Sequence, residues 1–273
     1  MTIAQAGLWL VLPWYLPWAY GVLYLAALAG ALRRGTGRTT LPRSQAGILG
    51  AVVIGVAALA AVVCAGRALL GRRAPAGAIE LAFPLKGGTY LVANGGSNTL
   101  VNAHLQTLTA ARLRAYRGQS HAVDLVRLDR LGRRARGIAP SNPAAYFAFG
   151  DQVFSPCDGK VVIAVDGLAD LEPPALDRTH LAGNHVILDC EGIWVLLGHL
   201  QRGSVRVRPG EWVDTGLLLG RVGNTGNTGE PHLHVHAQTP GSAAEPLSGN
   251  PIPIRFGGRY LVRNARIDTH DRS

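Results

Sequence analysis

The first 79 residues contain neither aspartate nor glutamate; all seventeen acidic residues lie from Glu80 onward. Lysine is almost missing too. Only Lys86 and Lys160 occur, so the formal net charge of +10 is carried by arginine. Seven arginines fall in the acid-free segment and the others are dispersed, which does not make the single basic patch that a nucleic-acid surface needs. Zinc-finger spacings, RNP sequences and helix-turn-helix patterns are likewise absent, so we expect no nucleic-acid partner. Cysteine is scarce: Cys64, Cys157 and Cys190. None stands in C-x-x-C spacing, which excludes a cysteine-based structural zinc site. Cys64 lies within an apolar run, where a packing role is the default. Internal repeats are absent, and no long amphipathic helix pattern is visible after Ile79.

What the N-terminal third does contain is apolar. Residues 1–32 are uncharged, and 7–32 read GLWLVLPWYLPWAYGVLYLAALAGAL. A bilayer-spanning helix needs roughly 20 such residues. Pro13 and Pro17 are tolerated inside a membrane helix, and Trp9, Trp14, Tyr15, Trp18 and Tyr20 cluster as an interfacial belt. A cleaved signal peptide would want positive charge ahead of the apolar run, and Met1–Gly7 supply none. A second uncharged run covers 44–66. Arg33, Arg34, Arg38 and Arg43 lie between the two, which places that loop in the cytoplasm and both chain ends outside. Arg67, Arg72 and Arg73 after the second run pull the other way. The expectation is a membrane anchor over 1–75 with two transmembrane helices, at about 7–32 and 44–66, and hence a lipid membrane as partner.

After Ile79 the texture changes to short alternating apolar segments broken by Gly, Asp, Asn and Pro. Gly159–Asp166, His185–Cys190 and Ile193–Leu197 read as strands, and Asp158-Gly159, Glu191-Gly192 and Pro209-Gly210 as hairpin turns. The stretch Arg127–Ala148 reads as a loop or insertion over the sheet. The fold class expected is therefore an all-β, antiparallel-sheet domain over 79–268, preceded by the two-helix hairpin and followed by a polar tail at 269–273.

The histidines concentrate. Glu230-Pro-His-Leu-His-Val-His-Ala237 sets His232, His234 and His236 two apart. Alternate residues of a strand share one face, so three imidazoles line up there, and a metal or catalytic site explains them better than a solvated face does. His180 and His270 lie in polar segments and read as solvated surface. His185, at the start of a strand after Gly183-Asn184, lines a groove or is simply structural.

These motifs resemble the lysostaphin-type zinc metallopeptidases that cut peptidoglycan cross-bridges. The resemblance runs from about Glu80 to Ile267. It rests on Val205-Arg-Val-Arg-Pro-Gly-Glu-Trp-Val-Asp-Thr-Gly216, on Leu219-Gly-Arg-Val-Gly-Asn-Thr-Gly-Asn-Thr-Gly-Glu-Pro-His-Leu-His234, on Leu197-Gly-His-Leu200 and on Ser155-Pro-Cys-Asp-Gly-Lys-Val-Val162. It implies one Zn2+ held by two histidines and one aspartate with the fourth position open to water, an arrangement suited to hydrolysis. Carried onto this chain, His234 and Asp124 are ligands and His199 and His232 are the catalytic histidines. His236 lies behind a ligand or faces substrate. The common His-x-Gly-x-Asp pattern is missing here, because Ser120 stands four residues before Asp124. His121 is three before it, and i and i+3 of a strand face opposite ways. His104, in Asn102-Ala-His104, resembles members with an insertion between the first ligand and the aspartate, and is preferred as the remaining metal ligand; His121 stays the alternative. The substrate implied is a peptide of bacterial peptidoglycan, and the place the outer face of the inner (plasma) membrane, with a multi-pass anchor and an extracytoplasmic catalytic domain. In that compartment Cys157 and Cys190 are candidates for a disulfide, or remain two buried thiols. Two rivals stay open. One is a non-catalytic regulator of the same fold. The other is a lipoyl-like export adaptor, suggested by Asp158-Gly-Lys-Val-Val162.

Overall fold

The computed structural model describes residues 16–34, 45–242 and 244–270. Its N-terminal part holds two helices, α1 (Leu16–Arg34) and α2 (Gln45–Leu70). The arginine-bearing residues between them, and Trp9, Pro13 and Trp14 of the first apolar run, lie outside the described residues. Among the described residues one helical stretch, Ile48–Leu70, is long and apolar enough to cross a membrane; its most apolar 18-residue window has a mean hydropathy of 2.8 and is not buried within the protein. Leu23, Leu25, Val52 and Leu59 all present their side chains outward.

The last turn of α2 meets the β-rich part of the chain. Ala68 packs with Val101 and Val262. The Arg67 carbonyl accepts from Asn98 Nδ2 at 2.5 Å, and the Gly71 carbonyl accepts from Ser97 N–H at 2.9 Å.

The remaining residues form thirteen strands. They are β1 (Ile79–Leu81), β2 (Thr89–Asn94), β3 (Val123–Leu128), β4 (Gln152–Phe154), β5 (Gly159–Val165), β6 (Asn184–Cys190), β7 (Ile193–Leu200), β8 (Trp212–Val213), β9 (Leu218–Arg221), β10 (Leu233–Gln238), β11 (Pro251–Ile252), β12 (Ile254–Phe256) and β13 (Arg266–Asp268). Nine make one antiparallel sheet in the order β13-β2-β3-β10-β7-β6-β5-β8, with β11 on the far end of β10. Two small sheets, β4–β9 and β1–β12, supply the covering layer, and β1 and β12 are a parallel pair within an otherwise antiparallel architecture.

The alternation along the central strands divides the sheet into two faces. Val123 and Leu125 of β3, Leu233, Val235 and Ala237 of β10, and Val195 and Leu197 of β7 enter the core, where Val153, Leu219 and Phe256 of the small sheets close over them. Asp124, His234 and His236 alternate with these residues and point to the other side. Burying those fully covered Leu and Val side chains stabilises by about 1.5–3 kcal/mol each, so a one-residue slip of β10 is strongly disfavoured.

Three local expectations need correction. Arg127 and Leu128 belong to β3, so the insertion over the sheet begins only at Asp129. Asp158-Gly159 is not a hairpin turn, because β4 pairs with β9 rather than with β5, and Asp158 instead accepts hydrogen bonds from Thr215. Pro209-Gly210 leads into β8, whose partner is β5. Glu191-Gly192 does join β6 to β7, with φ of 55° and 84°, the double positive φ of a type I′ turn. Cys157, just before β5, and Cys190, at the end of β6, are paired in a disulfide with Cα atoms 6.1 Å apart.

Candidate active site

Strand register builds the site. Asn94 of β2 lies opposite Asp124 of β3, Asp124 opposite His234 of β10, and His234 opposite Gly198 of β7. One row across four strands thus carries a carboxylate and an imidazole side by side and ends at a glycine in β7, where a Cβ would crowd Leu196 and the Ala182 carbonyl. His234 Nδ1 is 2.9 Å from Asp124 Oδ1. His104 arrives from outside the sheet on a 3-10 turn (Ala103–Leu105), and its Nε2 is 3.5 Å from Asp124 Oδ2. One donor atom from each of His104, Asp124 and His234 lies within 4.8 Å of the others. The same holds for His199, His232 and His234. His234 is shared by both groups.

His121 is in neither group. It closes a 3-10 segment (Ala111–His121) before β3 begins, so the strand-face argument does not apply to it. Its Nδ1 is buried without a hydrogen-bond partner, and burial lowers its pKa. Ser120 is buried; its hydroxyl donates to the Arg117 carbonyl at 2.6 Å and lies 2.7 Å from Thr107 Oγ1.

His199 sits where β7 leaves its register. Between the pairs Val186–Leu197 and Asn184–Leu200, β7 holds one residue more than β6, and His199 takes φ of +61°. Bulges of this kind re-aim a side chain, and a positive φ on a non-glycine residue persists only where surrounding structure enforces it. Here the His199 N–H donates to the Ala182 carbonyl at 2.9 Å, and its Nδ1–H donates to the Thr225 carbonyl at 2.8 Å, leaving Nε2 as an acceptor. His232, immediately before β10, is held in the same way: Nδ1 is 2.9 Å from the Glu230 carbonyl, and Nε2 is 3.5 Å from Asp124 Oδ1. The His199 and His232 rings are 4.8 Å apart.

Electrostatically the two differ. Burial, followed by the neighbouring His232 and His234, holds His199 well below the usual histidine range. Burial also opposes charge on His232, but the Asp124 carboxylate and the Glu230 carbonyl outweigh it and raise that pKa. Burial brings His104 down to about 4 against the pull of Asp124. Asp124 is itself buried, which would raise it, yet His104 and His232 hold it well below the carboxylate range.

Behind His234 the same strand face continues. Gln238 Nε2 donates to the Pro246 carbonyl at 2.7 Å, which fixes the amide so that Oε1 faces His236 Nε2 at 3.3 Å. Burial holds His236 neutral. Its Nε2 therefore carries the proton, and its Nδ1 accepts from His234 Nε2 at 3.0 Å. His234 Nδ1 is left facing a carboxylate oxygen. A ring nitrogen and a carboxylate oxygen 2.9 Å apart can share a proton or flank a cation, and two histidines with one carboxylate are a donor set suited to zinc. The residues fit the metal.

His185 donates from Nδ1 to the Gly183 carbonyl at 2.8 Å and borders a cavity of about 450 Å3 together with Ala182, Gly183, Tyr116, Pro246 and Leu247. Of its lining residues, Ala182 accepts from the His199 backbone N–H and Pro246 accepts from the Gln238 amide. His180 and His270 are exposed and pair with Asp177 and Asp268. Asn94, Asn102, Thr225 and Gln238 are buried or bonded polar residues to which the sequence motifs assign no role; Asn102 and Thr225 lie inside those motifs, and Gln238 is next in the period-two series after His236.

Residues 144–246 match the model of Peptidase family M23. That region includes His199, His232, His234 and His236 but begins after His104 and Asp124. A curated peptidoglycan DD-endopeptidase, ShyA of Vibrio cholerae serotype O1, is 25% identical over 146 residues, which cover 51% of this chain and 31% of that protein. Among solved structures, lysostaphin from Staphylococcus simulans aligns at 21% identity and a TM-score of 0.31, over 50% of this chain and 48% of its own. A zinc-containing peptidase from Vibrio cholerae aligns at 19% identity and a TM-score of 0.26, over 56% and 50%. The chain thus spans under a third of the curated relative's length and about half of lysostaphin's. The resemblance to the lysostaphin-type M23 peptidases stands on the matched region, and the β-rich antiparallel domain agrees with it.

Proposed function

We propose that this chain is a zinc-dependent endopeptidase acting on peptide cross-links of bacterial peptidoglycan, held on a membrane by its N-terminal helices with residues 79–268 outside. The observation that carries the reading is the junction of two groups at His234: a two-histidine, one-carboxylate donor set on one side, and a pair of oriented imidazoles on the other. His104, Asp124 and His234 would hold the ion. Zinc supplies, when bound, a more acidic water and a polarised substrate carbonyl.

The chain's own part is orientation and proton handling. His199 and His232 are each fixed by Nδ1 to a backbone carbonyl, so each keeps Nε2 for the reacting groups. His199, kept neutral by burial, is suited to accept a proton. His232, favoured in its charged form by Asp124, is suited to donate to the developing oxyanion or the departing amine. General acid–base help of this kind contributes about 10²–10⁴-fold. The cavity beside His185 offers room for a substrate side chain and is bordered by Ala182, whose carbonyl accepts from the His199 N–H.

The test is metal analysis of the purified full chain together with digestion of isolated peptidoglycan. One equivalent of zinc with release of cross-linked peptides supports the reading. A zinc-loaded protein that leaves peptidoglycan intact is the outcome for a non-catalytic regulator, and a chain that binds no zinc overturns the metal centre.

A further inference from the structure

His104 is separated from Asp124 by residues 105–123, so nothing in the local chain fixes one against the other. Thr107, bonded to the His104 carbonyl and to Ser120, and Asn94, bonded to Asp124 and to the Ala103 N–H, both help to span this gap, but the side chain that also reaches the His104 ring is Asn102, which has no exposure to solvent. Its Oδ1 accepts from the His104 backbone N–H at 3.1 Å, and the same oxygen lies 3.0 Å from His104 Nδ1. A backbone N–H is always a donor, so the atom facing it is the oxygen, and the amide orientation is settled. The ring nitrogen facing that oxygen must then carry a proton. His104 is therefore the Nδ1–H tautomer, and its lone pair is on Nε2, the atom 3.5 Å from Asp124 Oδ2.

The other end of the amide works on the far side of the gap. Asn102 Nδ2 faces the carbonyls of Ala122 at 3.1 Å, Gly96 at 3.2 Å and Ser120 at 3.4 Å. Ser120 and Ala122 are the residues that lead into β3 and hence into Asp124. One buried carboxamide thus grips the two chain segments that carry His104 and Asp124 and also selects the tautomer of His104.

Resting on the metal centre proposed above, we infer that Asn102 is a positioning residue of that centre, binding no metal itself but holding His104 in the one tautomer and place that let its Nε2 serve as a ligand. Partners of this kind behind a metal-bound imidazole are typically worth about 10–100-fold in metal affinity.

The experiment uses the full chain in detergent micelles and reads two quantities: zinc affinity by competition with a chelator, and the ring 15N shifts of the histidines in zinc-free protein, with His104 assigned by its disappearance in His104→Ala. In the wild type the His104 shifts should be those of an Nδ1–H imidazole. Asn102→Ala should mix the tautomers and weaken zinc binding about 10–100-fold. Asn102→Asp keeps an acceptor for His104 and should restore the tautomer and most of the affinity, although it loses the donors to the three carbonyls. A purely architectural asparagine would do the reverse, with Asp no better than Ala. An Nε2–H shift for His104 in the wild type, or wild-type affinity in Asn102→Ala, overturns the inference even if Asn102→Asp does not fold. Undiminished zinc affinity in His104→Ala overturns instead the ligand assignment beneath it.

Discussion

His199 and His234 stand in ring contact, 5.6 Å between centroids, yet losing each should have a different consequence. His199 spends Nδ1 on Thr225 and its free nitrogen is outside the His104–Asp124–His234 group. His199→Ala should keep its zinc and lose about two to four orders of magnitude in turnover. His234→Ala removes one of three protein ligands and should lose the metal itself. Thermal unfolding separates the two: zinc at a hundredfold excess over its Kd stabilises a binding-competent protein by about 2.7 kcal/mol, so His199→Ala should shift its Tm on zinc addition and His234→Ala should not. A metal-free His199→Ala would make that residue a ligand. A strand's period makes the shared face of His234 and His236 legible in the sequence, with His232 immediately before the strand. The period does not report burial, which neighbouring segments supply: His234 and His236 are covered and bonded to one another. The partner of Asp124 was ambiguous for a plain reason. A contact between His104 and Asp124 depends on a buried amide reading three distant carbonyls, and no local pattern reports that.

At the scale of elements, the β6–β7 region determines how the site is aimed. Gly183, at the entry to β6, has φ of +60°, and a Cβ there would run into the Thr225 backbone. Because Thr225 holds His199 Nδ1, Gly183→Ala should cost about 1–3 kcal/mol in stability and lower kcat beyond the loss of folded protein. Unchanged kcat per folded molecule would uncouple Gly183 from His199. Along the same strands, the Cys157–Cys190 bridge closes a loop with a sequence separation of 33. The chain-entropy relation gives roughly 3–4 kcal/mol for such a loop, so Cys190→Ser should lower the denaturant midpoint accordingly, and reduction of the wild type should lower it equally. Two reactive thiols in the unreduced, denatured outer domain would remove the basis of this prediction. β5, β6 and β7 were legible because six or more alternating residues and a Glu-Gly turn announce them. β1, β4, β11 and β12 were not: two or three residues carry no period, and their partners are far away in the chain, so Asp158-Gly159 looked like a hairpin though β4 and β5 never pair.

For the whole molecule, the distribution of charge gives the prediction with the widest consequence. With an uncharged N-terminus and Arg33, Arg34, Arg38 and Arg43 between the apolar runs, both termini should face outward. Protease added to intact spheroplasts should digest the chain after residue 75, whereas protection until lysis would reverse the orientation and withdraw the wall as substrate. Sequence composition separated the acid-free third from the rest at Glu80 without ambiguity. It could not reveal that the two parts touch, since Ala68, Val101 and Val262 are three ordinary small or branched residues far apart in sequence.

That contact has a mechanical consequence. The last turn of α2 is bonded to the loop between Asn94 and Asn102, and the first strand starts at Ile79, only a few residues beyond Leu70. A loose tether of some tens of residues would let a domain swing through a hemisphere of tens of ångströms. Here a splinted joint replaces the tether. On a bilayer a domain held in this way would drift sideways but hardly rise or tilt; under the function proposed above, its working volume would be a thin sheet along the membrane, and it would cut material delivered to that layer and leave what lies further out intact.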